Sequence, residues 1–205
     1  MNRRAMTKPH LLSAALLFAA LAGCGPSGQP APAPITGVAI AGTPIGGPFN
    51  LIDKTGKQVT WDQFKGQYRI VYFGYTFCPD ACPTDVGVMM QGMKKFEAAH
   101  PDLAAKVQPI FISIDPARDT PARVGEFTAA FSPRLLGLTG SQEQVDQAVK
   151  AFRAYAAKGK QSAGGYLMDH SRLAYLMDPD GQPIELLPVD KSAAAVAADL
   201  AASVK

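Results

Sequence analysis

Over residues 68–73 the chain is apolar at nearly every position, and a short β-branched and aromatic run of this kind predicts a buried strand. Past Pro83 the pattern changes period. Val86, Met89, Met90, Met93 and Phe96 recur at helical spacing, and Pro83 suits the first turn, where its missing N–H has no intrahelical partner. Residues 107–114 predict a second buried strand. Thr120-Pro121, an N-cap followed by proline, opens a helix to about residue 131. A short strand over 135–138 precedes the capping-box sequence Ser141-Gln142-Glu143-Gln144, which opens a helix to about residue 155. Gly164-Gly165 breaks the chain before a strand ending at His170. Residues 173–177 and 184–187 make the last strand pair, turning through Asp178-Pro179-Asp180-Gly181. An Ala-rich, weakly amphipathic helix over 191–204 closes the chain. Upstream, 49–53 and 58–60 predict a small hairpin, followed by a single helical turn over 61–64.

Strands alternating with helices, then a hairpin and a final helix, indicate an α/β fold: a three-layer domain with helices on both faces of a central sheet. A cysteine pair after the first central strand, at the opening of a helix, points to the thioredoxin-like form, here with an N-terminal hairpin.

The first residues belong to export rather than to this fold. Arg3, Arg4 and Lys8 precede an apolar run over 11–22 that is too short for an ordinary membrane span. The run ends in Leu21-Ala22-Gly23-Cys24, which looks like a bacterial lipobox, with Cys24 as the acylated residue. The alternative is an ordinary signal peptide that happens to end near a cysteine. All four positions fit the lipobox, and no competing site lies before the linker. Residues 25–34, rich in Pro, Gly and Ala, cannot build a core and read as a tether; the domain is expected from about residue 44. The organisation expected is therefore a signal over 1–23, an anchor and tether over 24–43, and a domain over 44–205.

Charge adds one exclusion. The formal +3 of the chain rests on 20 basic and 17 acidic residues. Losing Arg3, Arg4 and Lys8 with the signal leaves 17 of each, so the mature domain is neutral. A nucleic-acid partner would need a basic face, and none is indicated.

With Cys24 lipidated, the remaining cysteines are Cys78 and Cys82, too few for a disulfide-stapled scaffold. They stand at a strand-to-helix junction, where the helix N-terminus favours thiolate. Their spacing, Cys-x-x-x-Cys, is one residue longer than the thioredoxin redox motif. It can set both sulfurs on one side of a helical turn to grip a single metal ion, while a disulfide stays feasible with the Cα atoms within about 7 Å. Two buried cysteines acting as small apolar residues are the bland alternative, which fits poorly with prolines beside both in an exported loop. Among the histidines, His100 reads as the end of the Met-rich helix, and His170 taken alone reads as an ordinary surface or core residue. Met89, Met90 and Met93 read as core. Asp80, Asp115 and Asp119 read as turn and cap residues, with docking open for the last two.

Five ordered motifs then resemble the Sco/SenC family: Gly46-Gly47-Pro48-Phe49, the stretch from Tyr72 through Cys78-Pro79-Asp80-Ala81-Cys82 to Pro83, Ile114-Asp115-Pro116-Ala117-Arg118-Asp119-Thr120, Gly137-Leu138-Thr139-Gly140, and Asp169-His170-Ser171. The resemblance implies a thioredoxin-like fold and a copper ion held by Cys78, Cys82 and His170. It further implies a membrane-tethered chaperone delivering copper to the binuclear copper site of cytochrome c oxidase, with thiol redox chemistry at the same pair and a possible disulfide. The partners implied are the copper-site subunit of the oxidase and a periplasmic thiol reductant or copper donor. The lipobox adds the membrane through a lipid anchor, giving a lipoprotein of the bacterial cell envelope that faces the periplasm. Many relatives use a transmembrane helix instead.

Two thiolates and an imidazole suit Cu(I), whereas a structural zinc site would want a fourth ligand. One rival is a thiol–disulfide reductase acting on the oxidase subunit's cysteines without obligatory copper transfer. A thioredoxin-like peroxidase is weaker, because Tyr75 and Pro79 stand where its Pro-x-x-x-Thr-x-x-Cys pattern needs threonine.

Overall fold

The structure, a computed structural model, describes Met1 and residues 35–161 and 165–205. The export signal, Cys24, the tether through residue 34 and Gly164 of the expected break lie outside the described residues. The described residues from Ile35 to Lys205 belong to one compact unit. Its strands are β1 (Val38–Ala39), β2 (Asn50–Ile52), β3 (Gln58–Thr60), β4 (Tyr68–Gly74), β5 (Val107–Ser113), β6 (Leu136–Leu138), β7 (Ala156–Lys158), β8 (Met168–His170), β9 (Ala174–Met177) and β10 (Pro183–Leu187). Its helices are α1 (Ala81–Ala99), α2 (Pro101–Ala104), α3 (Pro121–Ala129), α4 (Gln142–Ala151) and α5 (Ala193–Ser203), with a 3-10 turn at Trp61–Phe64.

The central sheet has the order β1-β10-β9-β4-β5-β6. β4, β5 and β6 run parallel, while β9 and β10 return antiparallel on the other side of β4. Parallel neighbours need crossovers, which α1 and α3 supply. Alternate residues of β4 then define two faces. Tyr72 points to the side of α1, where its hydroxyl reaches Asp85. Phe111, its partner on β5, packs on Phe127 of α3 at 4.9 Å between ring centroids. α5 lies on the same side against α1, with Val196 seated over Gly92. On the opposite face Phe73 meets Phe152 at the end of α4, and Phe152, Trp61 and Phe49 continue as a chain of edge-on rings. The three layers expected from the sequence are therefore present, and every residue of β4 is buried.

The differences are local. Ahead of residue 44, β1 already pairs with β10, and Asp199 of α5 accepts hydrogen bonds from the backbone N–H groups of Thr36 and Gly37. α4 stops at Ala151 rather than near 155, because Arg153 takes a left-handed conformation with φ 50°. The amides of Arg153 and Ala154 turn back to the carbonyls of Lys150 and Val149, which closes the helix in a Schellman motif. With arginine where glycine is usual, no residue in the sequence marks that stop. The chain released there forms β7, which pairs with β8.

Candidate metal centre

The site is assembled from two segments that approach α1 from different directions. β4 ends at Gly74, and the loop after it is pinned by Asp119. This buried carboxylate accepts from the Thr76 amide at 2.9 Å, the Thr76 hydroxyl at 2.6 Å and the Ser113 hydroxyl at 2.6 Å. Asp119 thus serves the loop itself, a use its motif position alone did not reveal. Asp115 accepts from the Tyr166 hydroxyl and pairs with Arg118, whose guanidinium lies over the Tyr166 ring.

α1 begins at Ala81, so Cys82 already sits inside its first turn. The N-cap residue Asp80 makes no side-chain capping bond. Cys78 Sγ takes that place, accepting from the Cys82 amide at 3.3 Å. Cys82 is fully buried, and its sulfur lies under Gly74, where a Cβ would come within 2.9 Å of it.

The second segment brings His170. β8 pairs Ala156 with His170, and Ser171 is held by Tyr155 through both its amide and its hydroxyl. The imidazole stands edge-on to Tyr72 and Tyr75, at 6.4 and 5.8 Å between centroids. Its Nδ1 lies 2.9 Å from the Ser171 carbonyl. A carbonyl only accepts, so Nδ1 carries a proton and Nε2 presents its lone pair to Cys82 Sγ at 3.2 Å. The ligand atoms of Cys78, Cys82 and His170 all lie within 4.8 Å of one another. Two sulfurs and an imidazole nitrogen, with the second ring nitrogen engaged by backbone, are the donor set of a soft metal ion. Both cysteines are free thiols here.

The two sulfurs are electrostatically unlike. Burial pushes the Cys82 thiol far above its ordinary range, and the neighbouring Cys78 adds to the effect. Burial acts on Cys78 in the same direction but is outweighed by the backbone N–H groups of Cys82 and Asp80, so its thiol falls below the ordinary value. The expectation that the helix N-terminus favours thiolate at both positions holds for Cys78 alone.

The remaining candidates are not in the site. His100 caps the far end of α1 and its ring rests on Phe96. Met89, Met90 and Met93 are buried in the core. Asp85 and Arg172, which sequence reasoning passed over, lie beside the site and bind each other. Asp85 looks like any acid in an early helical turn, and its burial alone would have marked it. Among the described residues, no helix is long and apolar enough to cross a membrane.

The sequence model of the SCO1/SenC family matches residues 38–205. Protein SenC of Rhodobacter capsulatus is 46% identical over 147 residues, which cover 70% of this chain and 63% of that protein. The human mitochondrial Protein SCO1 homolog is 39% identical over 160 residues, covering 77% of this chain and 52% of its own length. The chain thus spans between about half and two thirds of these curated relatives. Among solved structures, copper-bound ScoI of Bradyrhizobium japonicum aligns with a TM-score of 0.70 at 39% identity, covering 78% of this chain and 99% of that one. Yeast Sco1 aligns with a TM-score of 0.70 at 35% identity, covering 77% and 96%.

Proposed function

The chain belongs to the SCO1/SenC family, and we propose that it is a membrane-tethered chaperone that carries copper on Cys78, Cys82 and His170 and delivers it to the binuclear copper site of cytochrome c oxidase. The observation that carries this reading is the convergence of two sulfurs and one imidazole nitrogen within 4.8 Å. Copper-bound ScoI supports it, as does the donor chemistry: two sulfurs with one nitrogen favour Cu(I) and leave the shell short of the four ligands of a structural zinc site. Three ligands, two of them on partly exposed residues, also suit cargo that has to leave.

Each residue has a separable part. Cys78, partly exposed and held below the ordinary thiol range, meets the incoming ion or partner first. Cys82, buried with its thiol pushed up, gives up its proton when the ion takes its place. His170 keeps Nε2 turned inward because Nδ1 is held by the Ser171 carbonyl.

The difference between the sulfurs favours a second activity at the same pair, thiol–disulfide exchange with the recipient's cysteines. The Cys78 thiolate attacks one sulfur of a recipient disulfide and expels the other as thiolate. Cys82 then attacks Cys78 Sγ and releases the second recipient thiol. The recipient gains two electrons and two protons, and Cys78–Cys82 becomes a disulfide, which a periplasmic thiol reductant, itself oxidised in exchange, returns to two thiols. Anchorage through a lipidated Cys24 and a periplasmic setting belong to the same proposal, supported by Leu21-Ala22-Gly23-Cys24 and the tether that follows.

The test is a Cu(I) titration against a competing chelator, on the reduced chain, the Cys78–Cys82 disulfide form, and Cys78→Ser, Cys82→Ser and His170→Ala. One equivalent bound by the reduced chain is expected. The disulfide form and either serine variant should lose that binding, and His170→Ala should weaken it about 10–100-fold. Equal affinity of reduced and disulfide forms would overturn the reading.

A further inference from the structure

His170 is borne by a segment that packs weakly by itself. β8 has three residues and pairs only with β7, in a two-stranded sheet separate from the central one. Isolated two-stranded ribbons are marginal in water. Cys82, by contrast, rides on a nineteen-residue helix buried along one face, and Cys78 in the preceding loop accepts from the Cys82 amide. For a histidine and two cysteines to act together, the two supports must be kept in register.

The side chain of Arg172, two residues after His170, reaches across to α1. Its Nε donates to Asp85 Oδ2 at 2.9 Å and its Nη2 to Asp85 Oδ1 at 2.6 Å. Asp85 stands three residues after Cys82, is 1% exposed, and also accepts from the Tyr72 hydroxyl at 2.9 Å. Its carboxylate is therefore fixed before Arg172 arrives, by the strand that leads to the cysteine loop. Among the described residues, side-chain hydrogen bonds between the His170 segment and α1 are these two and the Cys82–His170 contact itself. A planar fork on both oxygens of a fixed carboxylate sets position and orientation together, which a single bond or a lysine cannot do. Arg172 is half-exposed, and among the described residues its side-chain hydrogen bonds go to Asp85 and to no candidate ligand.

We infer that Asp85 and Arg172 are a positioning pair that holds His170 in register with Cys78 and Cys82, so that the three-ligand site is set before the ion arrives. The inference rests on the proposed copper site and adds two residues to it. Asp85 fixes the reference point on α1, and Arg172 ties the end of β8 to that point. Apart from the pair, β8 is secured by β7, Tyr155 and ring contacts with Tyr72 and Tyr75, and among the described residues the Cys82–His170 contact is the one other side-chain hydrogen bond that joins it to α1.

The test compares Asp85→Asn/Arg172→Gln with Arg172→Lys and the parent chain, each also with His170→Ala. The double amide variant keeps an acceptor for Tyr72 and leaves no unpaired buried charge; circular dichroism and thermal melting verify that it folds. Reduced Cu(I) affinity, about tenfold lower in Asp85→Asn/Arg172→Gln and intermediate in Arg172→Lys, is the expected result. X-ray absorption of the loaded variant should show a reduced nitrogen contribution. In the His170→Ala background the amide pair should cost nothing more. Unchanged affinity in the folded variant, or a loss that persists undiminished without His170, overturns the positioning role. If His170→Ala alone leaves affinity intact, the copper-site reading itself falls, an outcome distinct from the other two.

Discussion

Cys82 Sγ lies 3.2 Å from His170 Nε2, although 88 positions of sequence separate the two residues. The contact joins a buried sulfur on a long helix to an imidazole on a three-residue strand. Its neighbours divide into groups that fix the cysteine loop, such as Asp119 and Gly74, and groups that fix the histidine, such as Tyr155 and Ser171.

Gly74 is the residue over which Cys82 packs. A Cβ at that position would stand 2.9 Å from Cys82 Sγ and 2.9 Å from Phe111 Cε2. Gly74→Ala should cost about 1–3 kcal/mol of stability through overpacking and displace the sulfur from its place beside His170. Denaturant unfolding and Cu(I) competition should both register the change. A folded Gly74→Ala chain with parental copper affinity would show that the close approach does not set the sulfur's position.

The two thiols should differ in reactivity. At neutral pH iodoacetamide is expected to modify Cys78 well before Cys82, since Cys78 is partly exposed and stabilised as thiolate by helix N-terminal amides while Cys82 is buried and pushed up. Cys82→Ser should retain the fast modification and Cys78→Ser should lose it. Mass spectrometry of the labelled peptides over pH 5–9 reads the two profiles, and coincident profiles would contradict the assignment.

A carboxyl remote from the site gives a pH dependence of stability. Glu185 on β10 is buried, and burial with the nearby Asp199 raises it from 4.5 to about 7, against the lowering effect of the Ser203 hydroxyl. Below pH 4.5 the group is protonated in folded and unfolded chains, and its contribution is fully present. Between 4.5 and about 7 the unfolded chain releases the proton while the folded one retains it, so stability falls as pH rises. The loss levels off above the folded value at about 3 kcal/mol. Urea unfolding from pH 4 to 8 should show this decline, and Glu185→Gln should flatten it.

Cys24→Ser tests the anchor. The variant is expected to leave the membrane fraction, or to accumulate unprocessed, with the domain still folded, because the tether is proline- and alanine-rich and contributes no core. Undiminished membrane partitioning would count against lipidation.

What the sequence determined by itself is local. The apolar run of β4 and the mostly apolar run of β5 were legible because burial demands them. Thr120 and Ser141 announced α3 and α4 because a cap satisfies neighbouring amides. The spacing of Cys78 and Cys82 placed two sulfurs on one turn for the same short-range reason. His170 was identified through the likeness of its motif to a known family, since a lone histidine carries no signal of its neighbours. The tertiary structure alone decided the rest. β7 has no distinctive pattern and exists because β8 pairs with it. Its start depends on an arginine that ends α4 in a left-handed conformation. The opposite shifts of Cys78 and Cys82 follow from which sulfur faces helix amides and which lies beneath Gly74. The fork of Arg172 on Asp85 joins residues 87 positions apart. Burial and long-range hydrogen bonds arise when separate elements pack, and a pattern confined to neighbouring residues does not contain them.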